Sequence, residues 1–424
     1  MKLYRYPVKA MWPELIQRPE ADTAAIEKSV KKILDKVKQK GDKAVRKLTK
    51  EFDGITLKQF YVSESEINEA ADLLSPTLKE AIQTAKKNIE FFHAAQQEEI
   101  KKMDPMPGIT CWRQSIGIEK VGLYIPGGSA PLFSTVLMLG IPAQLAGCRR
   151  VVLCTPPSWD GKINPAILYA AQLCGIQQIL KIGGAQAIAA MAYGTESIPK
   201  VNKIFGPGNR YVTVAKQLVQ QQGIAIDMPA GPSEVLVMAD NTAIPEYVAA
   251  DLLSQAEHGA DSQVVLVTTE ESIAEKVLSA IKELIKELPR KEIAEKALQN
   301  SKLIITQSLE EAIDLSNAYA PEHLIIACAD AVSVAAAITA AGSVFLGNYS
   351  PESVGDYASG TNHTLPTNGY AAVYSGVSLD SFVKKITYQQ LTKEGLKNIS
   401  NTVMTMAEAE GLAAHKNAVA IRLK

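Results

Sequence analysis

Residues 121–155 read VGLYIPGGSAPLFSTVLMLGIPAQLAGCRRVVLCT, and this stretch decides the fold. A short continuous apolar run, VGLYI, meets a Pro-Gly-Gly turn. An apolar segment of helical length follows, and then a second short run, RRVVLCT. Continuous apolar strands are buried on both faces and belong to parallel sheets, whose strands are joined by crossovers, most often helices. The alternation goes on through ILYAAQLCG, QQILKIGG, AQAIAAMAYG, KIFG and YVTVAKQLVQQ to IAIDM at 224–228. It resumes with EVLVMAD (234–240), the helical YVAADLLSQAEH (247–258), VVLVTT, KLIIT, HLIIA (323–327) and SVFLG (343–347). Right-handed crossovers make such a chain doubly wound. The expectation is an α/β protein with two Rossmann-like parallel-sheet units, each with its own sheet.

Outside this region the texture changes. Residues 22–53 carry Ile26, Val30, Ile33, Leu34 and Val37 at helical spacing among lysines, with a break at Gly41-Asp42, and a second helix is expected over roughly 77–100. Asn348 to Gly376 is polar, glycine-rich and aperiodic. The last ~45 residues look helical, carry no strand signal and are too few for a core of their own, so they must dock on something else.

Length and composition agree with a folded protein of two or more domains: 424 residues, 47% hydrophobic, 21% charged, formal net charge -1. Neither a nucleic acid nor a membrane surface is a partner that this charge favours. No apolar run reaches the ~18 residues of a membrane span, and MKLYRYPVKAMWPEL has no secretory apolar core. Cys111, Cys148, Cys154, Cys174 and Cys328 are scattered without a CxxC pair, which fits a reducing cytoplasm.

Candidate chemistry gathers on few residues. Gln255 and His258 lie one helical turn apart ahead of Gly259, so an amide oxygen and an imidazole share one face. Such spacing suits a metal, and equally a helix cap. Glu322-His323 stands just before HLIIA, at a strand edge of the kind where doubly wound proteins place sites; a carboxylate beside an imidazole supplies bases near neutral pH, although an exposed polar turn has the same composition. Asp356 and His363 sit in GDYASGTNH, a long polar loop of the sort that carries function. Glu410 and His415 occupy what reads as an ordinary solvated helix. Glycine turns at Pro126-Gly127-Gly128, Gly183-Gly184, Gly206-Pro207-Gly208-Asn209 and Ala230-Gly231-Pro232-Ser233 are able to hold an anion at strand ends. None is GxGxxG, and the strand expected to end in a ribose-binding acid ends Cys154-Thr155-Pro156.

Together these segments resemble the histidinol dehydrogenase family, from about residue 20 to the end and in the family's order. The matches are VGLYIPGGSAPLFSTVLML (121–139), GGAQAIAA, FGPGN, DMPAGPSEVLV (227–237), DLLSQAEHG (251–259), APEHL (320–324), GSVFLG, SPESVGDYASGTNHTLPT (350–367) and EGLAAHKNAV (410–419). The resemblance implies oxidation of L-histidinol through the aldehyde to L-histidine in histidine biosynthesis, with NAD and one zinc ion per subunit. By that resemblance Gln255, His258, Asp356 and His415 are the zinc ligands and Glu322 and His323 the catalytic pair. Substrate contacts fall on Ser233, Gln255, His258, His323, Asp356, Glu410 and His415, and NAD contacts on Tyr124, Gln186 and Asn209.

The resemblance also implies a homodimer whose small helical C-terminal domain completes the partner's site, so that Glu410 and His415 act in trans. The expected division is an N-terminal arm (1–20) and a discontinuous first α/β domain with the metal and catalytic residues (21–120 and 236–377). A second α/β domain (121–235) carries the NAD contacts, and 378–424 form the helical domain. Rival readings are a paralogous dehydrogenase of another small alcohol, a zinc hydrolase using Glu322, and a binding module. A thiohemiacetal on Cys111, Cys148 or Cys154 is the aldehyde-dehydrogenase route, which this ligand and base set does not need.

Overall fold

The apolar runs become strands, and the computed structural model describes residues 1–19, 23–127 and 131–424. Residues 20–22 and 128–130 lie outside the description, and with them the first residue of the expected 22–53 helix and the second glycine of Pro126-Gly127-Gly128. In chain order the strands are β1 (Lys2–Arg5), β2 (Met103–Met106), β3 (Ile109–Gly117), β4 (Lys120–Tyr124), β5 (Arg150–Thr155), β6 (Gln178–Lys181) and β7 (Lys203–Phe205). They continue with β8 (Ala225–Ile226), β9 (Glu234–Ala239), β10 (Gln263–Thr268), β11 (Lys302–Ile305), β12 (His323–Ala327), β13 (Ser343–Leu346) and β14 (Val383–Leu391).

Two sheets are wholly parallel. One has five strands in the order β6-β5-β4-β7-β8, the other six in the order β1-β11-β10-β9-β12-β13. In each, the chain winds outward from a central strand, β4 or β9, then crosses back to the other side. The doubly wound α/β expectation therefore holds for both sheets. Every residue of β9, β10 and β12 is buried, as strands covered by helices on both faces require.

At three places the structure departs from the expectations or adds to them. First, the N-terminal helices do not pack with strands 234–346, with which 21–120 is grouped above. The helix Thr23–Asp53, broken where expected at Gly41 (φ +47°), puts Val30, Leu34, Val37, Val45 and Leu48 against Ile188, Met191 and Val212. The helix Pro76–Ala94 likewise puts Ile82 and Ile89 against Val136 and Leu139. The helices Gly184–Tyr193 and Phe133–Leu145, which they cover, are apolar nearly all round and leave two wide faces of the five-stranded sheet needing cover. Second, the N-terminal arm supplies a strand, since β1 pairs in parallel with β11. Third, the C-terminal piece is not all helix. β14 pairs antiparallel with all nine residues of β3, in a three-stranded sheet completed by β2. Its sequence, VKKITYQQL, is an edge strand whose lysines interrupt the apolar alternation, so it gives no clear strand signal.

Phe382, fully buried, stacks on Phe205 with ring centroids 4.0 Å apart and ties the start of β14 to the five-stranded sheet. Beyond it, the helices Lys393–Ala409 and Ala413–Ala420 pack mainly on each other, and the second buries no residue. Phe382→Ala is expected to lower the unfolding free energy in urea by about 3–5 kcal/mol; a loss below about 1 kcal/mol would show that the stacked pair is dispensable.

Candidate active site

The candidate residues gather at the amino ends of the six-stranded sheet. Glu234 opens β9 and His323 opens the adjacent β12, where His323 is in register with Val235. The helix Pro245–Ala256, which follows β9, runs back along the sheet, so its last turn delivers Gln255 and the residues after it deliver His258 to the same edge. This edge is opposite to the carboxyl-end crevice that doubly wound sheets favour, a correction to the strand-edge expectation for Glu322-His323.

The site is built on the backbone of Glu234. Its N–H donates to Glu322 Oε2 at 2.9 Å, and its carbonyl oxygen lies 3.0 Å from His323 Nδ1 and 3.2 Å from Gln255 Nε2. Gln255 Nε2 is also 3.0 Å from His323 Nδ1. With Nδ1 turned to the carbonyl, His323 presents Nε2 to Asp356, whose Oδ1 is 3.4 Å away. Gly342 allows this assembly to close, because a Cβ there would stand 2.5 Å from the Glu322 carbonyl oxygen.

The side chain of Glu234 is tied down in turn. Arg18 grips it through two bonds, Nε–Oε1 at 2.7 Å and Nη2–Oε2 at 2.8 Å, and stacks over the Tyr319 ring at 4.0 Å. Upstream of Arg18, Lys302 Nζ donates to the carbonyls of Leu15 and Gln17. The N-terminal segment is thus a brace for the site, a role that nothing in its sequence signals, because both partners lie hundreds of residues away.

Asp356 comes from the 348–376 loop, which is largely irregular apart from the short helix Glu352–Tyr357. The loop joins the two sheets. Its Asn368 N–H donates to Glu234 Oε1 at 2.7 Å, while Asn362 Nδ2 donates to the Met138 carbonyl at 2.6 Å. His363 bridges the Asp356 carbonyl, 2.7 Å from Nδ1, and Thr135 Oγ1, 3.0 Å from Nε2. Buried Glu352, which sequence reasoning passed over, accepts from Ser254 Oγ at 2.6 Å.

Burial lifts the Glu322 carboxyl from its ordinary range to about 8. At His323 burial opposes the charge, but the carboxylates of Glu322, Asp356 and Glu352 outweigh it and raise the imidazole to about 10. Burial opposes ionisation of Asp356 as well, yet its bond with His323 and the nearby imidazoles hold it below the usual carboxylate value. Burial lowers His258 toward the neutral form.

Gln255 is 1% exposed, and its Oε1 is buried with no hydrogen-bond partner. Among the described residues no group of three or more His, Cys, Asp and Glu is arranged to hold a metal ion. The donors that do converge are mixed: the free amide oxygen of Gln255, the His258 imidazole and the Asp356 carboxylate. Ser233 sits directly before Glu234, partly buried. Glu410 and His415 are exposed on the C-terminal helices, and the structure does not bring them to the others within one chain.

Tyr124, Gln186 and Asn209 stand apart from this group. They line a cleft of about 880 Å³ at the carboxyl ends of the five-stranded sheet, where β4 and β7 lead off in opposite directions. Gly184 N donates to the Tyr124 hydroxyl at 3.0 Å, and Asn209 caps the helix Arg210–Gln220. The thiols offer no nucleophile at either place: Cys154 is buried in the core, and burial pushes Cys148 up to about 11.

Two doubly wound sheets, one with a carboxyl-end cleft and one with a buried carboxylate–imidazole pair, define an α/β enzyme scaffold. The family model for histidinol dehydrogenase matches residues 16–423. A histidinol dehydrogenase of Bacteroides thetaiotaomicron is 58% identical over 423 residues, covering 100% of this chain and 99% of its own. That of Escherichia coli K12 is 54% identical over 413 residues, covering 97% of this chain and 94% of its own. The crystal structure of the histidinol dehydrogenase from Elizabethkingia anophelis superposes with a TM-score of 0.98 at 58% identity, covering 100% of this chain and 98% of that one. The chain belongs to the histidinol dehydrogenase family.

The brace is open to test. Arg18→Ala leaves the Glu234 carboxylate buried without its cation, and is expected to cost about 3–5 kcal/mol in denaturant. It should also lower kcat. A normal kcat in the folded variant would remove Arg18 from the support of the site.

Proposed function

We propose that the protein oxidises L-histidinol through L-histidinaldehyde to L-histidine, using two NAD and one zinc ion per subunit, in histidine biosynthesis. The observation that carries this reading is the adjacent buried pair Glu322 and His323, both clamped by the backbone N–H and carbonyl of Glu234 beside the unpaired Gln255 Oε1. Family membership supplies the substrate. No described helix is long and apolar enough to cross a membrane, in keeping with a cytoplasmic biosynthetic enzyme.

The donor set suits zinc. A buried amide oxygen lacking a partner is stable when it meets a cation, and amide, imidazole and carboxylate ligands together fit a borderline metal. Gln255, His258 and Asp356 of one protomer and His415 of the partner subunit would hold it. A zinc ion held there would supply Lewis acidity and a positive charge that helps to orient histidinol. Ser233 and the partner subunit's Glu410 then complete the substrate contacts, and the exposure of the C-terminal helices supports a trans role in a homodimer. Residues 236–377 carry the acid–base and metal groups, while Tyr124, Gln186 and Asn209 in 121–235 hold NAD.

The chemistry divides between two bases. In the first half-reaction the neutral form of His323, which a cation held by Asp356 would favour, takes the hydroxyl proton as hydride passes from the carbinol carbon to NAD, leaving the aldehyde. In the second, ionised Glu322 takes a proton from water as the water oxygen bonds to the aldehyde carbon, and His323 gives its proton back to the former carbonyl oxygen, which completes the hydrated aldehyde. His323 then takes a proton from the hydrated aldehyde as a second hydride leaves for a second NAD. Glu322 and His323 differ in how they are held, one on an N–H and one on a carbonyl, so each keeps its own orientation.

Two NADH are expected per histidinol consumed, with the activity lost on chelation and restored by zinc. One NADH per histidinol would mean that the aldehyde escapes, and none from a folded, zinc-loaded protein would overturn the substrate assignment. Glu322→Gln should depress aldehyde oxidation well beyond alcohol oxidation, while His323→Asn should depress both by about 10²–10⁴-fold. Equal losses in the two half-reactions of Glu322→Gln would end the division of labour.

A further inference from the structure

The five-stranded sheet lacks the acid that dinucleotide-binding sheets place at the end of their second strand, where it receives the ribose hydroxyls. Here that strand is β5, reached from β4 by the first crossover, and it ends at Thr155. A carboxylate arrives at the same cleft from outside the sheet. Asp53 is the last residue of the helix Thr23–Asp53, followed by Gly54 with φ +73°, and it lines the cleft together with Thr155 and Gln186.

Three polar atoms in this lining are buried with no hydrogen-bond partner: Asp53 Oδ2, Thr155 Oγ1 and Gln186 Nε2. Buried polar groups are nearly always paired, so three orphans around one cavity mark a missing ligand rich in hydrogen-bonding groups. Asp53 also stands where the fold disfavours it. A carboxylate at a helix C-terminus faces the negative end of the helix dipole, and burial raises its carboxyl to about 6. Among the described residues none that lines the cleft comes from the six-stranded sheet, so the cleft suits the part of a dinucleotide remote from His323.

We propose that Asp53, with Thr155 of the same cleft, binds the vicinal hydroxyls of the adenosine ribose of NAD and sets the preference for NAD over its 2′-phosphorylated form. This rests on the reading of the cleft as the NAD site. A carboxylate accepts from two neighbouring hydroxyls in charge-assisted bonds, and it repels a phosphate in the same position. Lys32 and Lys36 line the same cleft, so removing the Asp53 charge leaves surroundings that welcome a phosphate.

The test is kinetic, on the zinc-loaded enzyme, with Asp53→Asn, Asp53→Ser and, as a probe of the cleft itself, Gln186→Ala. KM and kcat are measured with NAD, NADP and 2′-deoxy-NAD, and NADH binding is followed by its fluorescence. For the Asp53 variants KM for NAD should rise on the order of tenfold with kcat unchanged, and the NADP-to-NAD ratio of kcat/KM should rise by a similar factor or more. The unaltered enzyme should use 2′-deoxy-NAD poorly, and Asp53→Asn should use it nearly as well as NAD. An unchanged KM and cofactor ratio in folded Asp53 variants, with Gln186→Ala impaired, overturns the role of Asp53 and leaves the cleft as the NAD site. No effect in any of the three variants overturns both.

Discussion

The backbone of one residue, Glu234, sets the geometry on which the site depends. Neighbouring side chains on an extended strand point to opposite faces, so Glu322 and His323 would diverge if β12 alone positioned them. They converge because the Glu322 carboxylate reaches the Glu234 N–H while the His323 ring meets the Glu234 carbonyl. Buried groups of this kind must find partners within the protein, and here each has one partner on a rigid parallel strand. The Glu234 side chain is fixed in turn by Arg18 and by Asn368 N–H. Movement of β9 would therefore disturb both bases, the N-terminal brace and the Asp356 loop together.

The two sheets share a winding order and use opposite edges. The five-stranded sheet opens its cleft at the carboxyl ends, beside the switch between β4 and β7. The six-stranded sheet gathers its polar residues at the amino ends, where the C-terminal turn of the helix Pro245–Ala256 and the 348–376 loop cover the strands. The corresponding carboxyl edge is closed by local bonds: Asp240 accepts from Ala329 N and Thr242 N, and Asn348 bonds to Thr242 O and Ile244 N. One winding pattern thus serves two kinds of pocket, according to which edge the connecting segments leave open.

Much of this was legible in the sequence, for physical reasons. Strands β4 to β13 are short apolar runs between helical segments, and burial on both faces demands that composition. Gln255, Glu322, His323 and Asp356 stood out as polar groups beside apolar runs, and they do gather. What stayed hidden depends on partners far along the chain. The lysine-rich face of residues 23–53 does not say which sheet its apolar face will cover. β14 is half-exposed and so lacks the strong alternation of a covered strand. Arg18 and Asp53 look like ordinary surface charges until the fold buries one against Glu234 and turns the other into a cleft. Glu410 and His415 are exposed in their own chain, so neither sequence nor burial marks them out.

The pairing of β1 with β11 also orders events in time. The five-stranded sheet and the helices that cover it are complete once Ile226 has been made. Lys2 must wait for Lys302 before it can join a sheet, roughly 4–15 s after Ile226 at synthesis rates of about 5–20 residues per second. Throughout that interval Arg18 has no Glu234 locked in a finished strand to hold. The nascent chain therefore carries a folded five-stranded unit while residues 2–18 stay unsheltered, a window in which chaperones and proteases meet the segment that will later brace the site.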